Sequence, residues 1–95
     1  MINKYLQAHA NKRVKPAIKC KDGFTMSIQA SKDHHCTPRN NNGTYSHVEV
    51  GYLAQYEPAL IPYAEFKNKP LNNTLFNNVP VAIVNALIAK HGGLQ

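Results

Sequence analysis

The chain has 95 residues, 43% of them hydrophobic, and a formal charge of +6. That length fits one folding unit with a thin stability margin, and the apolar content argues against disorder throughout. Two cysteines are too few for a secreted disulfide framework, no run approaches the ~18 apolar residues of a membrane span, and the N-terminal stretch lacks a leader's apolar core, so a cytoplasmic protein with reduced thiols is expected.

Ile2, Tyr5, Leu6, His9 and Ala10 recur at helical spacing and predict a short helix from Met1 to about Asn11. Pro16 then enforces extended backbone and the period becomes two, with Val14, Pro16, Ile18 and Cys20 expected on one side and Lys15, Ala17, Lys19 and Lys21 on the other. Asp22-Gly23 supplies a hairpin turn, because glycine accepts the positive φ that a tight turn needs. The returning strand sets Phe24, Met26, Ile28 and Ala30 on an apolar face and Thr25, Ser27 and Gln29 on a polar one.

Ser31 to Thr44 contains His34, His35, Cys36, Pro38, Arg39 and the run Asn40-Asn41-Asn42-Gly43, and reads as a long loop of the kind that often carries function. Tyr45 to Leu53 alternates again, with Val48, Val50 and Tyr52 expected inward and Tyr45, His47 and Glu49 outward. Pro58, Pro62 and Pro70 interrupt a segment whose Leu60, Ile61, Tyr63 and Phe66 are expected to cover the sheet, and a short strand is expected around Thr74 to Phe76. Pro80 suits the first position of a final helix with Val81, Val84, Leu87 and Ile88 as its apolar stripe. Gly92 ends that helix, with Lys90 and His91 against the negative end of its dipole. The pattern as a whole predicts a single small α+β domain over residues 1–95: an antiparallel sheet of three or four strands, a C-terminal helix packed on one face and a short N-terminal helix.

Eight of the eleven basic residues lie in the first 39 positions, against Asp22 and Asp33 alone, so that stretch holds the whole net charge. A segregated positive field favours a polyanionic or acidic partner over a merely solvated surface. Lys15, Lys19 and Lys21 share one side of the first predicted strand, with Lys32 and Arg39 on the neighbouring loop and Tyr45 as an aromatic anchor nearby. These six are the candidate partner-binding residues, with Lys12 and Arg13 entering from one end of the strip. Lysines outnumber arginines and no paired aromatic platform is present, which argues against base-specific readout.

Imidazole and thiolate are good zinc ligands, so His34, His35, Cys36 and His47, with Cys20, form a candidate metal set. In a simple meander, however, Cys20 lies beside the hairpin turn, roughly 20 Å of strand away from Cys36. No Cys-x-x-Cys knuckle is present, and a buried thiol with hydrogen-bonded loop histidines is expected in place of a metal. A Cys36 nucleophile would lack an oxyanion hole and an orienting third group, and Asp22, Asp33, Glu49, Glu57 and Glu65 show no spacing that marks an acid and base pair. Neither an enzyme nor a cofactor is expected.

The succession Ile18-Lys19-Cys20, Asp22-Gly23-Phe24, Met26-Ser27-Ile28-Gln29-Ala30-Ser31, His34, Cys36, Pro38-Arg39, Val48-Glu49-Val50-Gly51, Pro62-Tyr63-Ala64-Glu65, Val79-Pro80-Val81 and Ile88-Ala89-Lys90-His91-Gly92-Gly93 resembles a family of small bacteriophage and prophage proteins. The likeness runs from about Ile18 to Gly93 and is most specific between Met26 and Arg39. It points toward anti-CRISPR proteins, and so implies a phage-made inhibitor that binds a CRISPR-Cas effector complex in the bacterial cytoplasm, with guide RNA contacts open to its lysines, and blocks target DNA. The segment through Lys15 lies outside the likeness. A small basic nucleic-acid-binding or regulatory phage protein, with zinc stabilisation as a variant, is the alternative.

Overall fold

In the computed structural model the described residues are 1–41, 43–65 and 74–95. Helix α1 spans Ile2–Ala8, and four strands follow: β1 (Ile18–Lys19), β2 (Thr25–Gln29), β3 (His47–Gly51) and β4 (Phe76–Pro80), with a 3-10 turn over Pro58–Tyr63 before β4 and helix α2 (Val81–Lys90) after it. The strands pair antiparallel in the order β1-β2-β3-β4, so the fold is the expected α+β meander with a C-terminal and a short N-terminal helix. Among the described residues no helix is long and apolar enough to cross a membrane.

The hairpin between β1 and β2 forms for the reason its sequence suggests. Gly23 takes φ 95°, the Asp22 carboxylate accepts from the Phe24 N–H at 2.9 Å, and Cys20 and Phe24 close the turn through a 2.8 Å backbone bond. Met26, Ile28 and Ala30 are fully buried, as period two requires. Val48 and Val50 meet them from β3, and Val84, Leu87 and Ile88 cover them from α2. Ile2 and Leu6 of α1 complete this core, and the Ile2 N–H donates to Asn85 Oδ1 of α2 at 3.1 Å.

Two strand predictions fail at their ends. The alternation before β1 slips at Pro16: Ile18 and Cys20 are buried and Lys19 and Lys21 exposed, but Val14 is 63% exposed and Lys15 is buried. The reason is the Gln29 side chain, which accepts from the Lys15 N–H and donates to the Lys15 carbonyl, both at 2.7 Å. One amide thereby takes the place of a strand partner and turns Lys15 inward. Asn3 does the same to Tyr45, donating to its carbonyl at 2.9 Å and accepting from its N–H at 2.8 Å. Tyr45 is consequently buried, against the expectation of an outward ring. At the other end of β3, Tyr52 leaves the core side because its φ of 52° breaks the extended backbone, and Leu53 is the next buried residue.

The final helix begins at Val81, one residue after the expected Pro80, which is instead the last residue of β4. β4 itself starts at Phe76 and carries a bulge opposite Val48 and Val50, with Asn78 at φ 51°. Leu60 is buried and Tyr63 half-buried as expected, while Ile61 is exposed; Phe66 and Pro70 lie outside the described residues. Residues 91–95 return along the outer side of β1, where Lys21 N–H donates to Gly93 O, Gln95 N–H to Lys19 O, and Cys20 bridges Leu94.

Candidate anion-binding surface

After α1 the chain turns through His9 to Lys12, and the buried Lys15 fastens it to the sheet: its Nζ donates to the carbonyls of Lys12 and Ala30, each at 3.0 Å. On the far side of the chain, Asn41 Oδ1 accepts from the Lys32 N–H at 3.0 Å and holds the loop after β2 against this turn. Between the two runs a groove of about 200 Å³ lined by Ala10, Asn11, Lys12, Arg13, Lys32, Asp33 and Asn41. Lys12, Arg13 and Lys32 are all exposed there, and the groove's one carboxylate, Asp33, accepts from Arg13 Nε at 3.2 Å. Lys12 and Lys32 make no ion pair among the described residues.

The six expected contact residues are therefore not one strip. Lys19 of β1 and Lys21 of the turn after it are exposed beside residues 91–95. Lys32 lies at the opposite end of β2, roughly 20 Å along the strand at ~3.3 Å per residue. Arg39 is exposed on the loop after β2, with its Nε donating to the His34 carbonyl at 3.1 Å. Lys15 projects into the protein, where burial lowers its pKa against a smaller opposing effect of the Cys36 thiol. Tyr45 is buried too, its hydroxyl donating to the Asn40 carbonyl at 2.7 Å, and burial raises its pKa. Lys15 and Tyr45 thus build the groove's support, whereas Lys12 and Arg13, placed in the sequence as end contributions, supply its charge. The signal that could have found them is the uninterrupted Lys12-Arg13 pair after a helix.

The histidines and cysteines do not gather. Among the described residues no group of three or more His, Cys, Asp or Glu could hold a metal ion. Cys36 Sγ points to the carbonyls of Ser31 and Pro38 at 3.1 and 3.4 Å, and burial raises its pKa. His34 Nδ1 pairs with Ser31 Oγ at 2.6 Å, and His47 Nδ1 with Ser46 Oγ at 2.7 Å. Cys20 is buried beside the hairpin turn, its pKa raised by burial and then by Asp22.

A different titrating cluster was invisible in the spacing. His91 is buried, with Nδ1 2.6 Å from Asp22 Oδ2, Nε2 2.6 Å from Glu57 Oε1, and its ring stacked on Phe24 at 4.0 Å. Lys90 Nζ donates to the other oxygen of Glu57 at 2.9 Å. Both ring nitrogens face carboxylate oxygens, so both carry protons and the ring is an imidazolium. Burial works against that charge, but hydrogen bonds to Glu57 and Asp22 outweigh it and raise the His91 pKa. Burial likewise opposes ionisation of Glu57, yet His91 and Lys90 hold its carboxyl below its ordinary range. Asp22 is lowered first by the Phe24 N–H and then by His91.

Comparison with protein-family models, with characterised proteins and with solved structures finds no match to this chain.

Proposed function

We propose that this protein acts by occupation: an anti-CRISPR inhibitor of phage origin that docks its basic groove on the guide-loaded effector of a bacterial host, in the cytoplasm where such effectors work, and denies entry to target DNA. The observation that carries the reading is the convergence of Lys12, Arg13 and Lys32 on one groove with a single carboxylate among them. Phosphates of a guide strand or an acidic rim of an effector subunit match that field, and the resemblance between Ile18 and Gly93 supplies the biological setting. Exposed cations of this kind guide encounter and register more than they add affinity, so binding should be strongly salt-dependent. Lys19 and Lys21 provide a second contact region at the other end of β2.

The test titrates purified protein into guide-loaded effectors from candidate hosts and follows target DNA by gel shift in both orders of addition. Inhibition saturating near one protein per effector, and weakened when DNA is bound first, supports occupation. Substoichiometric, time-dependent loss of binding indicates an enzyme. Inactivity toward every effector tried, together with tight binding to free nucleic acid and a steep salt slope, moves the function to direct nucleic-acid binding.

A further inference from the structure

The open face of the sheet carries a second depression, also about 200 Å³, whose character is opposite to that of the basic groove. It is smaller than the ~300–1,000 Å³ of ordinary small-molecule sites and suits a single side chain. Ser27, Glu49 and Gly51 line it from β2 and β3, and Val14, Tyr52 and Leu75 add apolar and aromatic wall. A Cβ at Gly51 would stand 2.9 Å from Leu75 Cδ2, so Leu75 can pack this closely over β3 because residue 51 has no side chain.

The Glu49 side chain is only 8% exposed. Its one ion-pair or hydrogen-bond contact among the described residues is His35 Nδ1 at 3.5 Å, and that nitrogen is shielded from solvent without a hydrogen-bond partner. Buried carboxylates ordinarily collect several donors, so Glu49 retains unused acceptor capacity. Next to it stands Tyr52, held at φ 52° with 75% of its surface exposed. A left-handed backbone is uncommon for an aromatic residue, and here it presents a ring to solvent at the margin of the depression.

We propose that this depression receives one arginine side chain of a protein partner, with the guanidinium on the Glu49 carboxylate, its stem along Val14 and Leu75, and its plane against Tyr52. A cation is required because a buried carboxylate short of donors favours a charged one. Arginine suits the site better than lysine because its planar fork can give a carboxylate two N–H groups, stacks on aromatic rings and is less strongly hydrated. His34 also lines the depression, and burial holds its imidazole below the ordinary range, so at neutral pH it adds no competing cation. Arg13 and Val14 are consecutive, as are Asp33 and His34, and the depression therefore adjoins the basic groove. A partner that sets an acidic or phosphate group in one and an arginine in the other is fixed in a single register, and a partner lacking either is discriminated against.

The test uses ethylguanidinium as the probe and ethylurea as its neutral counterpart, titrated at low ionic strength into isotope-labelled full-length protein while amide signals are followed. Saturable shifts at Glu49, Gly51 and Tyr52 are expected, with ethylguanidinium bound at least about tenfold more tightly than ethylurea, the effect of a hydrogen bond to a charged group. Glu49→Gln should weaken binding by a similar factor, and Tyr52→Ala by about two- to fivefold, the size of an exposed cation–π contact. Shifts that never saturate, an equal response to ethylurea, or a pattern centred on Asp22 or Asp33 would overturn the proposal, as would undiminished binding by folded Glu49→Gln. If Glu49→Gln loses its fold, the comparison of the two probes on the wild type and the Tyr52→Ala titration decide.

Discussion

Replacing His91 by alanine removes the imidazolium from between two carboxylates and leaves Glu57, which is 1% exposed, with Lys90 as its remaining cation. Lys90 is itself 57% exposed on its side chain and so is a weak substitute. Breaking a buried pair from one side costs about 3–5 kcal/mol, because the surviving charge stays buried without compensation. Unfolding entropy near ~2.1 cal/mol/K per residue gives about 0.2 kcal/mol/K for a chain of 95 residues. A loss of ~4 kcal/mol therefore lowers the melting temperature by about 20 °C. Circular dichroism melts at pH 6 would measure it, with Lys90→Ala as a control expected to lose no more than ~1 kcal/mol. The pH dependence carries two signs. The His91 pKa is raised, so its contribution is full below the ordinary histidine value and disappears as pH rises through the folded one; those of Glu57 and Asp22 are lowered, so theirs are full above the ordinary carboxylate values and disappear as pH falls through the folded ones. Stability should peak between roughly pH 4.5 and 6.5, bounded by the two ordinary ranges. A His91→Ala melting point within about 5 °C of wild type, or a wild-type stability that falls neither above nor below that window, would refute the assignment.

Gln29→Ala strips both backbone partners from buried Lys15 and should cost about 2–4 kcal/mol, read as a lower denaturant midpoint; a change below ~0.5 kcal/mol would mean that the segment re-pairs elsewhere. Lys12→Glu with Lys32→Glu should reduce effector association more than Lys19→Glu with Lys21→Glu while both double variants keep wild-type circular dichroism, since the first pair faces one groove and the second lies on an edge. Treatment with a chelator should leave the melting curve unchanged, whereas stoichiometric zinc with a large fall in melting temperature would show a metal-dependent fold.

What the sequence made legible was whatever depends on neighbours in the chain. Met26, Ile28 and Ala30 alternate with polar residues, Gly23 must tolerate a positive φ, and Val84, Leu87 and Ile88 share a helix face; each follows from local geometry alone. The failures occur where a distant side chain overrides that geometry. Gln29 reaches fourteen residues back to turn Lys15 inward, and Asn3 reaches forty-two residues forward to Tyr45, so two residues expected at a contact surface became its foundation. His91 meets carboxylates 69 and 34 residues away, and no spacing rule relates positions so remote. The basic groove was half visible, since Lys32, one of the expected contact residues, lines it, while Lys12 and Arg13 were expected only as contributions from one end.

The return of residues 91–95 along β1 sets an order of events. Until that segment is in place, the outer edge of the β1–β2 hairpin offers unpaired N–H and C=O groups to any other extended chain. The contact spans more than seventy residues, a loop whose closure makes it a late step of folding. A nascent chain therefore elongates through residue 90 with an open edge, beside which Lys19 of β1 and Lys21 of the turn after it carry exposed positive charge. Those two lysines would then keep newly made molecules from pairing with one another before residues 91–95 emerge, a service to solubility that is separate from anything they do for a partner.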